Sequence, residues 1–344
     1  MMRALVKTEP VPGAALLDID EPRLGRDEVM VEVKAGAICG TDIHFYHWDP
    51  ASTNFPVRFP LILGHEYAGD VVEVGADVRG IAVGDRISVE THIPCGACYQ
   101  CGLGEGHNCQ DMGLVGISYP GAFARYAKVP AKVAFRLPPG VSYDEGSLFE
   151  PAGVAMRGVD EARIAPGDLV VVLGCGPIGL MAIQIARSVG AAQVIGVDIN
   201  EFRLGMARRV GAIAVNAAKE SVTDSVKAVA GRKGGADAVI ELSGAPEVFE
   251  YIFDIVRLEG RIVTVGHVSR PISVNVSKQL NLKGVSLKGV FGRRIWETWE
   301  HLASLVAAKR IDLSGVVTHR FPLDAFEDAF RQVHGDAGKV LLVP

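Results

Sequence analysis

The chain has 344 residues, 49% of them hydrophobic and 22% charged, with 35 Lys and Arg against 40 Asp and Glu for a formal net charge of −5. That length exceeds one ordinary hydrophobic core and predicts two domains. The acidic balance and the scatter of Lys and Arg leave no basic face, which argues against a nucleic-acid partner.

In chain order, residues 1 to about 150 carry short β-like runs at 29–33, 70–74 and 86–89, punctuated by Gly and Pro. They predict an antiparallel, β-rich domain. Inside it, four of the six cysteines follow the spacing Cys-x2-Cys-x2-Cys-x7-Cys: Cys95, Cys98, Cys101 and Cys109. Thiolates about 2.3 Å from a tetrahedral Zn²⁺ need turn-prone loops, and Gly96, Gly102, Gly104 and Gly106 supply them. Four thiolates leave no open coordination position, so the lobe at 91–112 is read as a structural zinc site. Disulfides would suit a secreted chain, but residues 1–9 do not resemble a signal peptide, and a cytoplasmic protein is expected. An iron–sulfur cluster fits the spacing only until its last interval, which is seven in place of three, with Gln110 where a Pro would follow. Cys39 and Cys175 lie far apart, as suits reduced thiols.

From about residue 165 the rhythm changes. Strand-like 169–173, 193–198, 238–242 and 260–265 alternate with helical segments beginning near Pro177, Glu201, Ser221 and Pro246, the pattern of an α/β, doubly wound parallel sheet. The uncharged run 169–186 has the length of a membrane span, but Gly174, Gly176, Pro177 and Gly179 interrupt it, so a buried strand, a tight loop and a buried helix are expected. After 284–290 come a helix at 296–309 and a β-like tail at 338–343, which is expected to return to the first domain rather than expose its edge. The expected division is therefore 1–155 with 291–344, and 156–290.

Gly174-Cys-Gly-Pro-Ile-Gly179 follows an apolar strand and opens a helix. A Gly-rich turn alone would look the same. In this position Gly174, Gly176, Pro177, Ile178 and Gly179 are expected to bring a pyrophosphate to the helix N-terminus. Asp198 closes the next strand, where a carboxylate binds the adenosine ribose hydroxyls and repels a 2′-phosphate, so NAD is expected over NADP. Against this, Arg203 is either a partner for such a phosphate or, more commonly, a solvated helix-face residue, with Asp198 expected to dominate.

Cys39-Gly-Thr-Asp-Ile-His44 and Gly64-His-Glu66 add a second set of metal-type residues. Together with the lobe, Gly64-His-Glu-Tyr-Ala-Gly69, Gly121-Ala-Phe-Ala-Arg-Tyr126, Phe149-Glu-Pro151 and the glycine loop, in this order, the chain resembles the zinc-dependent medium-chain alcohol dehydrogenases nearly end to end. The resemblance implies a GroES-like catalytic domain beside a Rossmann domain, and two Zn²⁺ and one NAD per chain. It makes Cys39 and His65 ligands of a catalytic zinc, with Glu66 and Glu150 binding or exchanging at the remaining positions. Thr41 would accept the alcohol's hydrogen bond, and His44 would pass its proton outward by way of the cofactor ribose. The bland alternatives are an outer-sphere or helix-end carboxylate for Glu66 and local capping for Thr41 and His44.

Within the family, Trp48-Asp49, Thr91-His-Ile93, Trp296-Glu-Thr-Trp299 and Val317-Thr-His-Arg-Phe321 resemble L-threonine 3-dehydrogenases. Glu150-Pro-Ala-Gly-Val154 instead resembles sorbitol and butanediol dehydrogenases. The expected activity is reversible, NAD-linked oxidation of a small secondary alcohol with a neighbouring polar group, threonine-like, with polyol oxidation as the alternative. A zinc-free or non-catalytic NAD-binding relative is the reading from another class. The expected partners are the alcohol or ketone and further copies of the chain, a homodimer or homotetramer paired through 284–290, with neither nucleic acid nor membrane.

Overall fold

The computed structural model describes residues 1–344, the side chains of Ala51 and Asn54 excepted. The chain forms two compact units. One comprises Met1–Pro151, Arg294–Ala303 and Leu313–Pro344; the other comprises Ala152–Arg293 and Ser304–Asp312.

The first unit is organised on the strand Glu28–Ala37. Its alternating Val29, Val31 and Val33 pack with Tyr67, Val71, Ile87, Val89 and Val129 in one buried cluster, the period-two pattern a half-covered strand requires. Strands Glu66–Val74, Tyr126–Pro130 and Lys339–Val343 all pair antiparallel with it. The C-terminal tail thus does become a strand here, its apolar residues buried and its edges paired. The named strands of residues 1–150 pair antiparallel as expected, and the tail adds one parallel pair, Val317–Pro322 beside Lys339–Val343. Register decides what happens at one end of this sheet. Ala37 stands opposite both Glu66 and Leu341, so the chain leaves Ala37 toward Cys39 beside the starts of two other strands.

In the second unit six strands lie in the order Ile213–Asn216, Gln193–Asp198, Leu169–Leu173, Ala236–Glu241, Val256–Thr264 and Ser286–Gly289, all parallel. Leu169–Leu173 is buried at every residue, as a central parallel strand covered on both faces must be. Numbered along the chain, the order reverses between this strand and Ala236–Glu241, the switch point at which doubly wound sheets bind nucleotides. The apolar run 169–186 does divide into strand, loop and the helix Pro177–Val189. Among the described residues, no helix is long and apolar enough to cross a membrane.

The helix expected near Pro246 is corrected to a 3₁₀ turn, Pro246–Glu250, and a single helical turn, Ile252–Ile255. Val248, Phe249, Ile252, Phe253 and Ile255 are all buried there at helical spacing, and the interruption falls at Tyr251, whose φ of −128° lies outside the helical range. A π-helical segment, Val276–Asn281, precedes the edge strand.

Candidate active site and metal centres

Cys39 caps the helix Gly40–His47, and the Asp42 carboxylate accepts the Cys39 N–H at 2.9 Å. Its other oxygen accepts the Gly64 N–H at 3.1 Å, so one fully buried side chain ties together the two segments that carry Cys39 and His65. Asp42 was not singled out from the sequence, where it reads as an ordinary capping-box acid; its spacing from Cys39 was the available signal. Ligand atoms of Cys39, His65 and Glu66 lie within 4.8 Å of one another.

The electrostatics there favour a cation. Burial alone would lower the His65 pKa, yet Asp42, Cys39 and Glu150 raise it to about 10. Burial raises the Glu66 carboxyl, opposed by Lys339, whose ammonium forms a buried ion pair with it. Burial opposes the charge on Lys339, but Glu66 and Cys39 hold its pKa above the usual lysine value. His65 Nδ1 is 3.7 Å from Asp42 and has no hydrogen bond among the described residues, an orphaned buried atom of the kind a metal satisfies. A thiolate, an imidazole and a carboxylate are a donor set suited to Zn²⁺, with a position left for substrate.

Glu150 falls outside this group of three. Its Oε1 accepts the Thr91 hydroxyl at 2.7 Å. Thr41 Oγ1 lies 3.7 Å from Cys39 Sγ. His44, three residues further on the same helix, contacts Asp49 through Nδ1 at 2.6 Å.

Two segments distant in sequence meet in a second network. Glu90, fully buried, accepts the Trp299 indole N–H at 2.7 Å and the His92 backbone N–H at 2.9 Å, and lies 2.8 Å from His92 Nδ1. Glu90 carried no signal in the sequence; its role follows from the indole that reaches it.

The Cys95, Cys98, Cys101 and Cys109 sulfurs also lie within 4.8 Å of one another. Backbone N–H groups of Ala97, Cys95 and Gln110 point at the sulfurs of Cys95, Cys109 and Cys98. Those of Gln110 and Cys101 lower the Cys98 pKa to about 6, whereas burial and the neighbouring sulfurs push Cys109 up to about 12. Four close sulfurs cannot all ionise without a cation to relieve the repulsion, so the lobe also fits Zn²⁺. Of the four glycines in these turns, Gly96 and Gly104 use the left-handed conformation that favours glycine, and Gly102 and Gly106 do not.

In the second unit, Gly174 has φ +94°, and a Cβ on it would meet the Ser243 backbone at 2.9 Å. A Cβ on Gly179 would strike the Gly174 carbonyl at 1.9 Å, whereas one on Gly176 would meet nothing within 4 Å. Gly176 caps the helix, with Pro177 and Ile178 in its first turn. The loop is therefore closed inward and open outward, a cradle for a pyrophosphate at unpaired N–H groups. Asp198 accepts the N–H groups of Cys175, Ile199 and Asn200 at 2.7–2.9 Å, which fixes its carboxylate at the rim. Arg203 has a buried Nε with no partner among the described residues.

Residues 25–139 match the alcohol dehydrogenase GroES-like domain and residues 177–308 the zinc-binding dehydrogenase domain. L-threonine 3-dehydrogenases of Salmonella arizonae and Cronobacter sakazakii are 41% and 40% identical over 343 residues, 99% of each chain. A zinc-binding dehydrogenase of Sinorhizobium meliloti bound to NADP superposes with TM-score 0.91 at 33% identity, covering 100% of this chain and 99% of its own. 2R,3R-butanediol dehydrogenase of Bacillus subtilis superposes with TM-score 0.91 at 29% identity, covering 100% of both chains. The chain belongs to the zinc-dependent medium-chain alcohol dehydrogenase family and is an oxidoreductase that works with zinc and NAD(P).

Proposed function

We propose that this enzyme oxidises L-threonine at its secondary hydroxyl, with NAD as acceptor. The observation that carries the reading is the 41% identity, over 99% of both chains, to an L-threonine 3-dehydrogenase. The Glu90 network supports it, because two of the segments that resemble threonine dehydrogenases, Thr91-His-Ile93 and Trp296-Glu-Thr-Trp299, are joined through it.

Cys39, His65 and Glu66 would hold one zinc and the four lobe cysteines the other. When bound, the first zinc lowers the pKa of the substrate hydroxyl and NAD accepts the hydride. The chain's own residues do the rest. Thr41, on the first turn of its helix, accepts the hydroxyl's hydrogen bond, and His44, on the same face at i+3, delivers the proton to solvent. Lys339 holds the Glu66 carboxylate. Glu150, fixed by Thr91, acts through its charge on His65 and Glu66. Gly174, Gly176, Pro177, Ile178 and Gly179 cradle the pyrophosphate, and Asp198 selects NAD, outweighing the attraction of Arg203 for a 2′-phosphate.

Polyol oxidation is the second reading, favoured by Glu150-Pro-Ala-Gly-Val154 and by the butanediol dehydrogenase likeness. We place the enzyme in the cytoplasm, where its six unpaired cysteines stay reduced. Its partner is a second copy at the exposed edge strand Ser286–Gly289. The domain division near 155 and 290 belongs to the same reading, amended in that residues 304–312 go with the cofactor-binding unit.

The test is a comparison of kcat/KM for L-threonine, 2,3-butanediol, sorbitol and 2-butanol, with NAD and with NADP. L-Threonine with NAD should be the best pair, and 2-butanol should be turned over far more slowly than 2,3-butanediol, because buried partners of the second polar group are left unpaired. Turnover of polyols with none of L-threonine would decide for the second reading. A preference for NADP would overturn the role given to Asp198.

A further inference from the structure

We propose that Asp49 is the positioning residue of a His44 proton relay, fixing the imidazole in the tautomer that leaves Nε2 free to accept a proton. The inference rests on the relay reading of His44 given above.

The local fold is built for this contact. The helix Gly40–His47 ends at Trp48, whose φ of 50° and ψ of 51° are left-handed. A single such residue reverses the chain, so residue 49 returns over residue 44 instead of continuing along the axis. The His44 carbonyl accepts the N–H groups of Trp48 and Asp49 and, at 2.7 Å, the Ser52 hydroxyl, which fixes the backbone on both sides of the pair. Asp49 in turn accepts the Ser52 N–H through its own carbonyl at 3.0 Å. With both main chains held, Asp49 Oδ2 meets His44 Nδ1 at 2.6 Å.

An ionised carboxylate only accepts, so the hydrogen of this contact sits on Nδ1. Nε2 then carries a lone pair, on a ring whose side chain is 46% exposed. In the direction of alcohol oxidation, Nε2 takes up one proton to give an imidazolium whose Nδ1–H stays on Asp49. Water then removes the Nε2 proton and the neutral ring is restored in the same tautomer. Without Asp49 the ring would rotate or settle with its hydrogen on Nε2, and that nitrogen could not accept. The arrangement follows the logic by which a carboxylate orients a catalytic histidine in hydrolase triads, but here it is assembled within one helix end.

The experiment is a long-range ¹H–¹⁵N spectrum of holoenzyme labelled at histidine, at a pH where the ring is neutral. The His44 signals are assigned by their loss in His44→Gln. The expected wild-type pattern is a protonated Nδ1 and an unprotonated Nε2, and Asp49→Ala should move population to the Nε2–H form. In the same variant kcat should fall about tenfold, KM should change less than about twofold, and added imidazole should restore turnover. Asp49→Asn, whose amide oxygen can still accept from Nδ1–H, should lie between the two. An Nε2–H tautomer in the wild type, or an unchanged tautomer and kcat in Asp49→Ala while His44→Gln is impaired, would overturn the role of Asp49 alone. Full turnover in His44→Gln would overturn the relay reading beneath it.

Discussion

Asp42 illustrates how much a single buried carboxylate can arrange. It holds the N–H groups of Cys39 and Gly64 and faces the His65 imidazole, so the ligands are preplaced before any metal arrives. Groups in this outer position typically change metal affinity by about 10- to 100-fold when removed. Asp42→Asn should weaken zinc at the Cys39 centre by that factor while the lobe keeps its ion, which a chelator competition with metal analysis would show. Loss of both ions at the same chelator concentration would contradict it. His65 adds a pH dependence. Its pKa is raised from 6.5 to about 10, so between those values the metal-free protein keeps a proton there that an ordinary imidazole would have lost. Zinc must displace that proton. Affinity at this centre should therefore rise with pH by at least about tenfold per unit across that window, more steeply wherever the Cys39 thiol must also give up a proton, and level off above it, measured by the same competition at successive pH values. The ligand residues were legible in the sequence because Cys, His and Glu sit in short motifs. Asp42 and Glu90 carry no role there, because their partners come from the backbone or from a segment far along the chain, and Asp49 carries none because only the left-handed turn at Trp48 brings it back to His44.

At the scale of elements, the glycine loop separates two uses of one residue type. Gly179 packs against the Gly174 carbonyl, whereas Gly176 faces open space. Gly179→Ala should therefore lower Tm, because backbone must move. Gly176→Ala should leave Tm within a degree or so and raise KM for NAD by about tenfold or more, since its methyl group occupies the approach to the pyrophosphate. Steady-state kinetics beside a melting curve distinguishes them, and equal Tm losses would contradict the assignment. The strand–loop–helix order was readable from the apolar run and its breakers. What each glycine does was not, because G-x-G-x-x-G specifies a turn but not which Cα–H points inward. The helix expected near Pro246 keeps the helical spacing of its five buried apolar side chains and is divided only at Tyr251, a backbone detail that residue type does not reveal.

For the whole molecule, the return of the C-terminal strand to Glu28–Ala37 is what completes the catalytic unit. It brings Lys339, more than 270 residues distant, to the side of Glu66. A motif list cannot contain such a residue, although the unpaired apolar tail already required a sheet to join. The architecture thus gives one unit both metal centres and the other unit the cofactor cradle. The division of labour between the two centres is the central claim, and zinc content, Tm and turnover of Cys39→Ser and Cys98→Ser test it together. Wild type should hold two zinc ions per chain and each variant one. Cys39→Ser should keep Tm and lose turnover. Cys98→Ser should lose Tm, because zinc bound in a closed site contributes directly to folding, yet keep its activity per folded molecule. Loss of the same single ion from both variants, or full turnover in Cys39→Ser, would contradict the account.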